Sequence, residues 1–275
     1  MNKVIFKNSF IFFSFFFVWN NLVGQREQEG YITTLLCNNI AIDIMEVDTL
    51  VSFKGDLLIL PGWNFDRTRW CSESSLCKEA HRAGYRLIMP EMGKSIYATS
   101  YFPQTRKDWL RYPTLTWLLD TMIPFLQQQA GVFLTSDNFM IGLSTGARGI
   151  ALIACRTNTF FKAAAALSGD YDQTLMPKDN LISGVYGHFS LFSERWKTID
   201  NPVAECVQIK IPIYIGHGKL DKVVPYTQSE LFYNKLLFLN NGKKYVLHTP
   251  EMGHDFLYWE SEVIPILDFF ESIKK

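Results

Sequence analysis

The fold is decided by Asn138-Phe139-Met140-Ile141-Gly142-Leu143-Ser144-Thr145-Gly146-Ala147-Arg148-Gly149. In this stretch a short apolar run ends in Gly-x-Ser-x-Gly, and a run of small residues with helical character follows. That order predicts a strand, a sharp turn and a helix, with Ser144 in strained backbone angles and its hydroxyl raised above the sheet. Gly142 and Gly146 suit the turn because strand and helix crowd each other there. Although Gly-x-Ser-x-Gly alone is commonly a plain turn, these flanks favour Ser144 as a nucleophile.

Strands and helices are predicted to alternate along the rest of the chain. Two β segments lie between Tyr31 and Asp48, with a turn at Asn38-Asn39. Strands that alternate with helices form parallel sheets covered on both faces, so we predict an α/β protein with a mostly parallel, doubly wound sheet. The further strands are predicted at 56–60, 85–90, before Ser144, and at 162–169, 211–216 and 244–248. The helices are predicted at 72–83, 113–129 with a kink at Pro124, after Ser144, and at 226–239 and 258–274.

The connection between Leu167 and Ile211 is too long for a simple loop. We interpret residues 170–208, within this connection, as an insertion after the sixth strand, partly helical and lying over the strand ends. Its aromatic residues have two interpretations, since they can wall a substrate pocket or bury the insertion against the body. Both can hold together. These residues include Tyr171, Tyr186, His188, Phe189, Phe192 and Trp196.

The first 24 residues read as an export signal. Lys3 and Lys7 precede an almost unbroken apolar run from Phe10 to Trp19, and a cleavage site is expected near Gly24. The run is shorter than the roughly 20 apolar residues of a comfortable membrane span, so no stable span is expected after signal removal. An uncleaved N-terminal anchor is the alternative. We therefore expect an exported, periplasmic or secreted protein.

Residues 25–275 have the length of one domain with a packed core. The 27 basic and 27 acidic residues give a formal net charge of zero, so nothing suggests nucleic acid or an anionic membrane as a partner. The five cysteines form no CxxC pair or Cys/His metal spacing, which argues against zinc. In an oxidising compartment Cys71 and Cys77 could pair, and two free thiols are an equal alternative.

A nucleophilic serine needs a histidine base, and that base needs a third group to hold it. Such groups gather at the carboxyl ends of parallel strands. Asp221 follows the seventh predicted strand, and we interpret it as the acid rather than as a turn residue capping the next helix. Asp170 and Asp172 are its rivals. His254 follows the last strand, so its ring can reach Ser144 and complete the order Ser, Asp, His.

Two backbone donors are expected for the oxyanion that forms on acyl attack. One is the N–H of Thr145, directly after the serine. The other is assigned to the N–H of Trp63, in the loop Pro61-Gly62-Trp63-Asn64 after the third strand. Trp63 could instead be only a packing residue.

Other polar residues near these positions have less direct interpretations. His217 lies at the end of the seventh strand and is interpreted as structural, at most one layer behind the residues that touch the substrate. Arg67, Arg69 and Arg148 could bind a substrate carboxylate, and surface salt bridges are at least as good an explanation for each.

Together these pieces resemble an α/β-hydrolase, and more narrowly the esterase branch that includes S-formylglutathione hydrolases and mycolyltransferases. The most specific piece is the Gly-His-Asp-aromatic-x-Tyr-Trp run that begins at Gly253. The resemblance implies the α/β-hydrolase fold, a triad of Ser144, Asp221 and His254, and no cofactor. The matching pieces are Leu60-Pro61-Gly62-Trp63, Gly142-Leu143-Ser144-Thr145-Gly146, His217-Gly218-x-x-Asp221-x-x-Val224-Pro225 and Gly253-His254-Asp255-Phe256-x-Tyr258-Trp259.

The leading hypothesis is an exported serine esterase that acts on a small-molecule, glycan or lipid ester without metal or cofactor. A peptidase or an acyltransferase with the same triad is the second hypothesis, because fold-level analogy does not separate these reactions. A non-catalytic binding protein on a hydrolase scaffold is the third.

Overall fold

The computed structural model describes residues 31–109, 112–239 and 242–274. The predicted signal, residues 1–24, lies outside this part of the chain. The strands are β1 (Ile32–Cys37), β2 (Ile40–Met45), β3 (Gly55–Leu60), β4 (Tyr85–Pro90), β5 (Asn138–Leu143), β6 (Ala163–Leu167), β7 (Ile213–Gly216) and β8 (Tyr245–His248). They form one sheet in the order β1-β2-β4-β3-β5-β6-β7-β8. β1 and β2 form an antiparallel hairpin, β2 is antiparallel to β4, and the later pairs are parallel.

Helices cover both faces of this sheet. They are α1 (Arg69–Glu73), α2 (Leu76–Ala83), α3 (Thr114–Trp117), α4 (Ile123–Ala130), α5 (Thr145–Arg156), α6 (Asn180–Tyr186), α7 (Phe189–Thr198), α8 (Pro202–Glu205), α9 (Thr227–Leu239), α10 (Phe256–Ser261) and α11 (Val263–Lys274). Short 3₁₀ turns lie at Lys107–Trp109, Gln173–Leu175 and Cys206–Gln208, and a π-helical turn at Leu118–Met122. Among the described residues, no helix is long and apolar enough to cross a bilayer.

Two apolar layers sandwich the central strands. Successive side chains of a strand point to opposite faces, so Met140 joins the layer that includes Ile150 of α5. Phe139 and Ile141 join the layer that includes Phe270 of α11. The alanine run of β6 divides between the layers in the same way. The arrangement confirms the predicted mostly parallel, doubly wound sheet.

The predicted helix at 72–83 is wrong in one respect, because two helices occupy this region. Ser74 between α1 and α2 has extended backbone angles (φ −147°, ψ 167°), and its hydroxyl donates to the Trp70 carbonyl. A disulfide joins Cys71 of α1 to Cys77 of α2. The pairing that the sequence left open is therefore present, and it links the two short helices.

Prolines interrupt two other predicted helices. Pro124 has no N–H to donate to the preceding turn, and its predicted kink is a π-helical turn at Leu118–Met122. The last helix begins at Phe256, two residues before its predicted start, and divides at Glu262 into α10 and α11. Pro265 explains this division, because it cannot bond back to the end of α10.

The insertion contains α6, α7 and α8, so its predicted helical character is confirmed. Together with the loop that precedes α3, it forms a small hydrophobic cluster separate from the two layers of the sheet. Most of its large aromatic side chains are buried in this cluster or against the body, which confirms the packing interpretation for them. The cluster comprises Ile96, Ala98, Trp109, Ile182, Val185, Tyr186 and Trp196.

Arg148 connects this insertion to the body. It lies on α5, one helical turn after the serine of the Gly-x-Ser-x-Gly turn, and it is completely buried. Its guanidinium is 2.9 Å from the Asp170 carboxylate and donates to the Ile96 carbonyl at 3.1 Å. It also donates to the Gln173 side chain and the Asp200 carbonyl, both in the insertion. Arg148 is therefore neither a binding residue for a substrate carboxylate nor part of a surface salt bridge, so both interpretations are wrong.

Arg148→Met is expected to lower the free energy of unfolding by about 3–5 kcal/mol, because it leaves the buried Asp170 carboxylate without its counter-charge. Urea denaturation followed by circular dichroism measures the change. Lys197→Met is the control, since it removes an exposed cation of the insertion that pairs with Glu194, and it should cost no more than about 1 kcal/mol. Equal losses in the two variants would contradict the role given to Arg148.

Candidate active site

The turn between β5 and α5 holds Ser144 in the strained conformation that the sequence predicts, with φ 53° and ψ −124°. A Cβ on Gly142 would lie 2.5 Å from the Gly146 carbonyl oxygen, and a Cβ on Gly146 would lie 2.5 Å from the Leu60 carbonyl oxygen. Neither position accommodates a side chain, because both distances are far below van der Waals contact. The backbone crowding predicted for these glycines is therefore present, and it leaves Ser144 half-buried at the turn.

His254 lies in the loop after β8 and contacts both of the residues assigned to it. Its Nδ1 is 2.6 Å from Asp221 Oδ2 and its Nε2 is 3.1 Å from Ser144 Oγ. An ionised carboxylate only accepts hydrogen bonds, so Nδ1 carries the proton and Nε2 is free to accept one from the serine. The Trp259 ring packs edge-on against the imidazole, 5.2 Å between centroids, and is held by a bond from its Nε1 to Ser168 Oγ. The three side chains that the sequence assigned to a triad thus lie within hydrogen-bonding distance in series.

The Asp221 carboxylate is completely buried and fully hydrogen-bonded. Oδ1 accepts from the backbone N–H groups of Val223 and Val224 at 2.8 and 2.9 Å. Oδ2 accepts from His254 and lies 3.1 Å from His217 Nε2. Burial by itself raises the pKa of Asp221, but the hydrogen bonds from His217 and His254 outweigh it and hold the pKa well below the usual range. Asp221 is therefore a carboxylate across the neutral range.

Backbone contacts fix the loop of the acid against the loop of the histidine. Lys219 N–H donates to the Pro250 carbonyl at 2.8 Å, and Leu220 N–H donates to the Met252 carbonyl at 2.9 Å. Gly218 makes this approach possible, since a Cβ there would lie 2.2 Å from the Met252 oxygen. Backbone hydrogen bonds therefore join the two loops, a contact that no local sequence pattern indicates.

The residues predicted to supply the oxyanion donors adjoin the serine in different ways. Thr145 is the first residue of α5, and within the described residues its N–H has no hydrogen-bond partner. Gly62 lies against the serine, because a Cβ on it would be 3.3 Å from Ser144 Cβ. Trp63 follows directly, and its ring packs edge-on against Trp109 at 4.6 Å. Trp63 is thus a packing residue, and the donor role of its N–H stays a prediction.

The rival candidates are engaged elsewhere. Asp170 pairs with the buried Arg148, and Asp172 caps a 3₁₀ turn by accepting from the N–H of Thr174. Neither carboxylate is the partner of His254. The structure therefore favours Asp221 among the three acids considered.

Two arginines considered as substrate ligands also have partners in the chain. Arg67 Nε is 2.8 Å from the Asp43 carboxylate. Arg69 lies 3.9 Å above the Phe65 ring. These contacts fit the structural interpretation of both residues better than substrate binding.

This sheet, with a Gly-x-Ser-x-Gly turn after β5 and a histidine and an acid on the loops after β8 and β7, defines the class of α/β-hydrolases. Residues 122–272, more than half of the chain, match the model described as the prolyl oligopeptidase family. The chain belongs to the prolyl oligopeptidase family. The matched segment includes Ser144, Asp221 and His254, while the Trp63 loop lies outside it. A search of curated proteins finds no match.

Solved structures share the fold at low identity. The fluorophosphonate-binding serine hydrolase F of Staphylococcus aureus is 18% identical with a TM-score of 0.69, over 88% of this chain and 98% of that chain. An S-formylglutathione hydrolase from the same organism is 18% identical with a TM-score of 0.67, over 87% and 98%. A puromycin-hydrolysing peptidase of Mycobacterium tuberculosis is 15% identical with a TM-score of 0.66, over 88% and 40%. These likenesses confirm the α/β-hydrolase fold implied by the sequence.

Asp221→Asn is expected to lower the free energy of unfolding at neutral pH. The difference from wild type should become smaller in acid. The folded state holds the pKa of Asp221 below its unfolded value, so the stabilisation is present above about pH 4 and declines as the pH falls further toward the folded pKa. Urea denaturation of both proteins from pH 7 to pH 3 measures the difference. Asp268→Asn, an exposed position on α11, controls for loss of one negative charge. A difference between wild type and Asp221→Asn that stays constant to pH 3 would contradict the argument.

Proposed function

We propose that this chain is an exported serine hydrolase that cleaves carboxylic esters through Ser144, His254 and Asp221. One observation carries the proposal: the hydroxyl, the imidazole and the buried carboxylate form a continuous series of 3.1 and 2.6 Å contacts. Membership of a family of serine hydrolases supports the general class. Small-molecule, glycan or lipid esters are the proposed substrates.

In the proposed reaction, Ser144 Oγ attacks the ester carbonyl carbon while its proton passes to His254 Nε2. The carbonyl oxygen becomes an oxyanion, which accepts hydrogen bonds from the N–H groups of Trp63 and Thr145. The intermediate then expels the alcohol, which takes the proton from His254 and leaves an acyl-serine. Water repeats the sequence, releasing the acid and restoring the serine. Asp221 stays ionised throughout and stabilises the imidazolium.

A peptidase is the second candidate, and the family match is the observation that favours it. The same groups can cleave an amide, because His254 can protonate an amine leaving group as it does an alcohol. Esters remain the first choice because the motifs around Trp63, Ser144, Asp221 and His254 resemble those of the esterase branch. Transfer of the acyl group to another alcohol uses the same acyl-serine and differs only in the acceptor.

Ser144→Ala is expected to lower the hydrolysis of p-nitrophenyl acetate by about 10⁴-fold, because no nucleophile remains for the histidine to activate. A fluorophosphonate probe should label the wild type at Ser144 and leave the variant unlabelled. Ser272→Ala, an exposed serine that accepts from Lys244, is the control and should retain full activity. Equal rates in wild type and Ser144→Ala would remove Ser144 from the mechanism.

The same assay separates the candidate reactions. An acetyl ester and the matching acetyl anilide compare ester with amide cleavage, and faster turnover of the anilide would favour the peptidase. Products formed with a competing alcohol distinguish hydrolysis from acyl transfer. Absence of turnover and labelling would favour a binding protein on a hydrolase scaffold.

Export is proposed from the sequence of residues 1–24 and is supported by the Cys71–Cys77 disulfide, since such bonds persist in oxidising compartments. The full-length chain with a C-terminal tag should appear outside the cytoplasm of a bacterial host, with a mature N-terminus near Gln25. Replacing Phe15 and Phe16 by Asp should retain it inside. Cytoplasmic retention of the unprocessed wild type would contradict the proposal.

A further inference from the structure

His217 is a second histidine on the carboxylate of the proposed triad. It directly follows β7, its side chain is completely buried, and its Nε2 lies 3.1 Å from Asp221 Oδ2. The same Nε2 is 2.9 Å from the Val224 carbonyl oxygen, and Nδ1 is 2.7 Å from Ser229 Oγ on α9. The ring therefore joins the end of β7, the acid loop and α9.

These partners determine which ring nitrogen donates to the acid. Both groups near Nε2 only accept hydrogen bonds, so Nε2 carries a proton and shares it between Asp221 and Val224. The Ser229 hydroxyl, which can donate or accept, holds the other ring nitrogen, Nδ1, at 2.7 Å. His217 is thus a fixed donor to the oxygen that also accepts from His254.

We propose that His217 is a positioning residue of the active site, which holds the Asp221 carboxylate in place and withdraws part of its negative charge from His254. The inference rests on the proposed function of Ser144, Asp221 and His254. It adds a residue that touches no substrate and acts through the acid alone.

Two effects follow from this geometry. Without His217, only His254 donates to Oδ2 of the Asp221 carboxylate. The carboxylate can then rotate about the hydrogen bonds that Oδ1 accepts from the N–H groups of Val223 and Val224. The carboxylate also attracts the His254 proton more strongly, because one fewer donor shares its charge. Loss of His217 should therefore lower turnover and move the acidic limb of the pH profile upward.

Other ionisable groups around this cluster are few in the described chain. Burial raises the pKa of the Tyr258 hydroxyl on α10, and the nearby Glu262 and Asp221 carboxylates raise it further, so the hydroxyl stays neutral. Tyr171 packs on the Phe232 ring of α9, and burial raises its pKa as well. On the surface, Lys219 pairs with Glu251 at 3.4 Å. Apart from His254, His217 is therefore the neighbour whose removal changes the charge distribution of Asp221 most directly.

The test compares His217→Leu with His217→Gln, whose amide nitrogen can replace Nε2 as the donor. With p-nitrophenyl acetate, His217→Leu should lower kcat about tenfold and leave KM within about twofold, because the substrate does not touch residue 217. The acidic limb of kcat/KM should move upward by about one pH unit, the scale of one hydrogen bond to a charged group. His217→Gln should restore most of the rate and return the limb toward its wild-type position.

His81→Gln is the matched control, because this buried histidine of α2 bonds the Glu46 carbonyl and should leave the profile unchanged. If His217→Leu does not fold, Ser229→Ala is used in its place. This variant removes the hydroxyl that contacts His217 Nδ1 and weakens the donor at Nε2, so the acidic limb of kcat/KM should move upward by a smaller amount. A lowered rate with an unshifted limb in the folded variant, or no recovery in His217→Gln, would overturn the proposal.

The outcomes separate this inference from the function on which it rests. If Ser144→Ala and Asp221→Asn retain full activity, the proposed hydrolase mechanism fails. If both lose activity and the His217 variants match wild type in rate and pH profile, only the positioning role fails. In the Asp221→Asn background, His217→Leu should have no further effect on the pH profile, because the charge through which residue 217 acts is gone.

Discussion

The whole site depends on a backbone crossing that has no room for side chains. The end of β5, the start of α5 and the end of β3 approach so closely that a Cβ at Gly142 or Gly146 would meet a carbonyl oxygen at 2.5 Å. Ser144 sits at this crossing with φ 53°, a conformation that a non-glycine residue adopts only where its surroundings impose it. The sheet and helix thus supply the strain, and the position of the hydroxyl is set before any other group of the site is considered.

Two loops joined by backbone hydrogen bonds place the Asp221 carboxylate and the His254 imidazole beside the Ser144 hydroxyl. The loop after β7 carries Asp221 and the loop after β8 carries His254, and backbone hydrogen bonds join them through Lys219 and Leu220. Asp221 also receives two backbone N–H groups of its own loop and lies 3.1 Å from His217 Nε2. These contacts together hold the carboxylate in place for the imidazole. Preorganisation of this kind keeps the histidine in one tautomer without reorganisation during a reaction.

Local sequence patterns were sufficient to predict the sheet and the residues Ser144, Asp221 and His254. The loops that follow parallel strands all lie at the same edge of the sheet, so residues in these loops can be expected to meet. The alanine run of β6 was assigned correctly only from its position between a helix and the next turn. Contacts over long sequence separations were not predictable. Nothing near Arg148 in sequence indicates Gln173 or Asp200 as its partners, and the α1–α2 break depends on a serine whose backbone becomes extended. His217 was interpreted as structural, yet its contact with Asp221 depends on how the loop folds back over four residues.

The Trp63–Trp109 contact has a consequence for heat inactivation. The backbone of Trp63 belongs to the β3 loop beside Ser144, while its ring packs against the small cluster shared by the insertion and the loop before α3. A small peripheral cluster opens at lower free energy than a sheet buried on both faces. In a hydrolase that uses the Trp63 N–H, warming would therefore displace this donor while β3 to β7 stay paired, and catalysis would fade at temperatures where the far-ultraviolet spectrum is still that of the native protein.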